Sequence, residues 1–165
     1  MSDWFFMLGE PLGASETEQV RAYLNGLDLR ELQIESVRDF ASAARVISHP
    51  DWDRRWWDAE QLERRRLLAK ATTAHGSSQL LQTLSHSTDE SIALHGTAAV
   101  QAARLGCSDT GLIRAAAGAL GEALYLAKLA ELALETSSHP FLLKRALFAA
   151  GHWPLSLMSG CFYVF

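Results

Sequence analysis

Helix punctuation divides this chain before any side chain is given a role. Ser15-x-x-Glu18 is a capping-box pattern that opens a helix, and Gly26 closes it. Ser36-x-x-Asp39 opens a second, running to about Ile47 ahead of His49-Pro50. A long helix is expected from about Asp53 to His75, stopped at Gly76, with a short one following over 78–85. Thr88 then caps a helix reaching Leu105 before Gly106, and Ser108 caps the longest, about 109–135. Ser138 caps the last, which carries Pro140 in its first turn and ends at Gly151.

Three segments read differently. Arg30 to Ser36 alternates, with Leu32 and Ile34 on one side and Glu31, Gln33 and Glu35 on the other, which suits a short half-buried strand in competition with an extra helical turn. Asp3 to Leu8 and Cys161 to Phe165 are aromatic and apolar, better strands than helices. Pro154 to Met158 and Cys161 to Val164 flank Ser159-Gly160, a two-residue hairpin turn. An apolar chain end frays unless it is paired, so the C-terminal strand is expected to pair with the N-terminal segment. The fold expectation is a mainly α single domain over residues 1–165. It is a bundle of six or seven helices with a small antiparallel β-sheet formed by the N- and C-terminal segments.

Composition narrows the function classes. Apolar residues make up 48% of the 165, which is ordinary for a globular chain that buries one core. No stretch approaches the apolar length of a membrane span, and MSDWFFMLGEPLG lacks the basic start of a secretory signal. Cys107 and Cys161 fit reduced thiols in a cytoplasm better than a disulfide framework. The net charge of −4 is uneven: residues 1–40 carry eight acids against three arginines, and 41–70 carry seven bases against five acids. An acidic chain whose Arg64-Arg65-Arg66 run is interleaved with Glu60 and Glu63 lacks the basic stripe that nucleic acid requires.

Sorting each long helix by 100° per residue gives it a wet and a dry side. In the 109–135 helix, Lys128, Glu131 and Glu135 are wet, while Ala115, Ala119, Leu126, Leu129 and Ala133 define a dry meridian with Glu122 beside it. In the next helix upstream, Glu90, Thr97, Gln101 and Arg104 are wet, and His95 falls on the dry side with Ile92, Ala99 and Ala102. In the 53–75 helix, Arg64 and His75 share the dry side with Trp57, Leu67, Leu68 and Ala71. Buried charges need partners, so the expected core network is an Arg64–Glu122 pair that Tyr125 can join, with His95 hydrogen-bonded to a nearby carbonyl or hydroxyl. The same four residues, Arg64, His95, Glu122 and Tyr125, are the ligand-binding candidates if the bundle core holds a pocket. His75, His95 and Glu122 have the donor types of a metal site, although neither Glu-x-x-His nor His-Glu-x-x-His is present.

The segment Asp51-Trp52-Asp53-Arg54-Arg55-Trp56-Trp57 concentrates three of the five tryptophans beside two arginines, the residue types enriched at binding hot spots. Trp52, Arg54, Arg55 and Trp56 are therefore the partner-binding candidates. No Gly-x-Ser-x-Gly, P-loop, dinucleotide fingerprint or zinc-spaced cysteine set occurs. The leading expectation is a small cytoplasmic protein-interaction protein without cofactor or catalytic activity, binding a protein partner through the Trp/Arg-rich start of the long helix or the acidic N-terminal region. An inhibitor or immunity-type protein with a basic partner is one concrete version. Alanine-rich faces and aromatic ends also suit a homodimer. The alternative is a helical-bundle enzyme or small-ligand or metal-binding protein that uses the polar core cluster.

Overall fold

The computed structural model describes residues 3–86 and 92–165, together with the backbone of 87–91. The fold is mainly α: six α-helices, a short 3-10 turn over Trp4–Met7 and a small three-stranded sheet. The helices are α1 (Ala14–Gly26), α2 (Phe40–Ile47), α3 (Arg55–His75), α4 (Ser77–Arg104), α5 (Thr110–Leu132) and α6 (Pro140–Ala149). The strands are β1 (Gln33–Ser36), β2 (Pro154–Met158) and β3 (Cys161–Val164). Most of the expected boundaries hold to within a few residues, but several caps are supplied by a neighbour. Asp39 caps α2 by accepting from Ser42 N, and Asp109 rather than Ser108 caps α5 by accepting from Leu112 N. His139 rather than Ser138 caps α6, its Nδ1 accepting from Phe141 N.

α4 is continuous where two helices were expected. Thr83 and Ser85 donate their hydroxyls back to the carbonyls of Gln79 and Gln82, and His86 Nδ1 meets Gln82 O. Side chains bonded to the preceding turn in this way do not compete for a new helix start. The side chain of Thr88, expected as a cap, lies outside the described residues.

α5 is the hub, packing against α2, α3, α4 and α6, with α1 beyond α6. Its alanines make this feasible, because Ala116, Ala117, Ala123, Ala127 and Ala130 are fully buried and let neighbouring helices approach closely. Two apolar clusters result. One joins Tyr23 and Leu24 of α1, Leu67 of α3, Leu126 and Leu129 of α5, Phe141 of α6 and Phe162 of β3. The other joins Trp4, Phe5, Ala98, Leu112, Leu120, Phe148, Trp153 and Phe165.

The sheet is mixed, in the order β1-β3-β2, with β1 parallel to β3 and β2 antiparallel to it. Ser159 and Gly160 both have positive φ, as a type I′ hairpin turn requires. The N-terminal partner of β3 is the 33–36 segment and not Asp3 to Leu8, which forms the 3-10 turn. Both edges of β3 are taken by β1 and β2, so β3 itself has no ladder position left for the chain start. The chain start docks by its rings instead: Trp4 meets Phe148 edge-on at 6.1 Å, and Phe5 stacks on Phe40 at 5.7 Å. Phe40 in turn meets Phe165 at 5.3 Å, so the two chain ends share one aromatic cluster. Among the described residues, no helix is long and apolar enough to cross a membrane.

Candidate functional site

The start of α3 is tied to the sheet. Asp53 N donates to Leu157 O of β2 at 2.6 Å, and the Asp53 carboxylate accepts from the backbone N and the guanidinium of Arg55. Those Arg55 bonds hold the Asp53 carboxyl below its usual range. Arg54 bonds Asp58 at 3.1 Å and lies 5.1 Å from the Trp57 ring centre. Both arginines are exposed, and both are already matched within their own helix start.

The tryptophans of this segment face a cleft of about 340 Å³. Trp52, Trp56 and Trp57 form one side, Ala115 and Ala119 of α5 form another, and the chain from Trp153 to Ser156 closes the third. Trp52 and Trp57 remain 51% and 44% exposed, as aromatic rings waiting at a mouth would be. Trp56 differs from expectation. It is half-buried, meets Phe162 edge-on at 5.1 Å and donates its Nε1–H to the Tyr23 hydroxyl.

Beneath the rings lies a charged floor. Glu60 of α3 and Lys144 of α6 are 4% and 3% exposed, and Lys144 Nζ reaches both Glu60 oxygens, at 2.8 and 2.9 Å. The Tyr23 hydroxyl donates to Glu60 at 2.6 Å. Burial first, and then the Glu60 charge, push the Tyr23 hydroxyl well above its usual pKa, so it stays protonated as a donor. The ammonium also lies 5.4 Å from the Trp56 ring centre. Every charge in this floor is matched, which is the condition for burying it.

Sequence reasoning found the rings and missed the floor, although its signal was present. Glu60 precedes Arg64, Leu67 and Ala71 at spacings of four, three and four, so it lies on the stripe assigned as dry. Lys144 sits three residues after Phe141 and three before Leu147, inside the buried face of α6.

The expected Arg64–Glu122 pair does not form. Glu122 is exposed and stands at the rim of the Trp cleft, 3.7 Å from Lys144. The reason lies in its meridian: Ala115 and Ala119, taken as markers of the dry side, line the cleft, so this face of α5 looks into an opening and not into the core. Arg64 instead stacks over Tyr125, 5.2 Å from the ring centre, with its Nε buried and without a hydrogen-bond partner. Arg64 and Tyr125 thus come together as expected, without Glu122 or His95.

His95 is exposed on α4. The expected faces of that helix hold only in part: Ala102 is buried and Arg104 exposed as expected, but Ala98 and Gln101 are buried while Ile92 and Ala99 are exposed. Gln101 earns its burial by accepting from Phe5 N at 3.2 Å. His75 pins the end of α3 to that of α5, its Nε2 lying 2.8 Å from Leu132 O. His75, His95 and Glu122 are not gathered, and among the described residues no three His, Cys, Asp or Glu side chains group as a metal centre. Cys107 is buried and Cys161 half-buried, both as free thiols.

A wider depression of about 550 Å³ lies among α4, α5 and α6, lined by Gln82, Thr83, His86, Leu124, Lys128, Glu131 and Arg145. Its carboxylate already holds Arg145 at 2.6 Å and Lys128 at 3.4 Å, and it offers no aromatic anchor, so the Trp cleft is the better recognition site. No family model, curated protein or solved structure matches the chain.

Proposed function

We propose that this protein is an interaction module without catalytic activity of its own, and that it docks a protein partner at the Trp cleft between α3, α5 and β2. The observation that carries this reading is the pair Trp52 and Trp57, half-exposed at the mouth of a cleft whose charged floor is internally matched. Buried, mutually bonded polar groups below exposed aromatic rings favour recognition over chemistry, because the floor has no unpaired base or nucleophile to offer a substrate. Rings at such a mouth are rigid anchors of the kind that dominate interface energetics. An inhibitor- or immunity-type protein that captures its partner in a cytoplasm is the concrete form of this reading.

Photocrosslinking in cells of the protein's source tests it. A p-benzoylphenylalanine placed at Trp52 should give one discrete covalent adduct with a second polypeptide. The same probe at Leu62, an exposed position further along α3, should give none. Equal adducts from both positions, or none from Trp52, would overturn the assignment of the cleft.

A further inference from the structure

Resting on that reading, we infer that the Trp cleft receives a cationic side chain, an arginine in the best-fitting case, from a basic protein partner. The charge of the cleft is the first reason. Glu60, Glu122 and Lys144 are the ionisable groups lining it, two carboxylates against one ammonium. Lys144 spends its close contacts on Glu60, at 2.8 and 2.9 Å, and stands 3.7 Å from Glu122, beyond hydrogen-bond reach. Lys144 thus divides one charge between two carboxylates, and Glu122, its side chain 44% exposed and in only the longer ion pair, keeps an incompletely compensated charge at the rim.

The arginines at the mouth do not cancel that charge. Arg54 is held by Asp58 and Arg55 by Asp53, while Arg64 lies against Tyr125 outside the lining. The rings supply the second reason. Cations of this chain already settle on two of the three tryptophans, Arg54 on Trp57 and Lys144 on Trp56, so the geometry suits cation–π contact. Trp52 is the ring at this mouth left uncovered by such a cation among the described residues. An incoming guanidinium is planar, stacks on an indole face and offers paired N–H groups to a carboxylate such as Glu122. The net charge of −4 steers a basic partner in the same direction.

The test uses two short peptides, acetyl-Gly-Arg-Gly-amide and its citrulline isostere, which keeps the shape and loses the charge. Tryptophan fluorescence is followed at fixed ionic strength. The arginine peptide should bind at least about tenfold more tightly than the citrulline peptide, as one charge-assisted contact implies. E122Q should bring the two peptides to equal affinity, and W52A/W57A should abolish binding of both. Equal binding of the two peptides by the unaltered protein, or a preference that survives E122Q, overturns the cation assignment. So does the absence of arginine-peptide binding up to about 10 mM, a contact of under about 3 kcal/mol. Those failures leave the docking reading standing if position 52 still crosslinks a partner, and failure of the crosslink removes that reading whichever peptide binds.

Discussion

Replacing Lys144 by methionine would strand Glu60 in the floor of the cleft. In the native protein the carboxylate is 4% exposed and receives two bonds from the ammonium, the shorter at 2.8 Å, plus one from Tyr23. At an effective dielectric constant of about 20, unit charges 2.8 Å apart attract by about 6 kcal/mol. Methionine avoids the cost of desolvating an ammonium, which returns part of that sum and leaves a loss of about 3–5 kcal/mol, as for other broken buried pairs. With a urea slope of about 2 kcal/mol per molar, the unfolding midpoint of K144M should fall by roughly 1.5–2.5 M, followed by circular dichroism. E60Q/K144M leaves no charge and still offers Tyr23 an oxygen, so it should be more stable than K144M by about 2 kcal/mol. A K144M midpoint within about 0.5 M of the unaltered protein, or a double variant no better than the single one, would refute the buried pair as described.

Two further predictions concern stability. Burial opposes ionisation of Glu63, but its bonds from Arg66 and His139 outweigh that and hold its carboxyl below the usual range. A folded value below the unfolded one, about 4.3, gives stability that is present above that pH and lost as pH falls through the folded value. E63Q should therefore be about 1 kcal/mol less stable at pH 7, and its urea curves should converge with those of the unaltered protein as pH falls through the folded value. Curves that stay parallel at all pH values would contradict the linkage. Gly151 has a φ of +85°, and a Cβ there would come within 2.5 Å of Met7 Cβ and 2.9 Å of Met7 O. G151A should lower Tm by roughly 5–10 °C through left-handed strain and displacement of the docked chain start. An unchanged Tm would refute that close approach.

The parts of this fold legible in the sequence are those fixed by local chemistry. Gly76 and Gly106 mark where helices stop, and Ser159-Gly160 marks the hairpin, because their positive φ angles depend on the residue itself. What was not legible depended on competition between distant segments. Nothing local says that β1 takes the free edge of β3 before Asp3 to Leu8 can, or that Phe5 N finds Gln101. The face readings of α4 and α5 held for Ala102, Leu126, Leu129 and Ala133, and failed at His95, Gln101 and Glu122 for a related reason. Alanine satisfies a core, a helix contact and a cleft wall alike, so Ala98 and Ala99, or Ala115 and Ala116, cannot be told apart by type although their burial differs. The site was half-visible: the cluster Trp52, Trp56 and Trp57 announced itself by composition, and Glu122 was singled out, but as a core residue and not a rim one. Glu60 entered the sequence reading only as an acid interleaved with the Arg64-Arg65-Arg66 run, and Lys144 was given no role.

The central claim, that Trp52 and Trp57 dock a protein partner, is tested most directly by native mass spectrometry of the protein purified gently from its source, beside W52A/W57A. Both rings are largely at the surface, so the double variant should keep the native helicity and unfold within about 1 kcal/mol of the unaltered protein. The account predicts a complex with a second polypeptide at fixed stoichiometry for the unaltered protein and the free chain for the folded double variant. A complex that persists in W52A/W57A, or an unaltered protein that carries no second polypeptide, would contradict it.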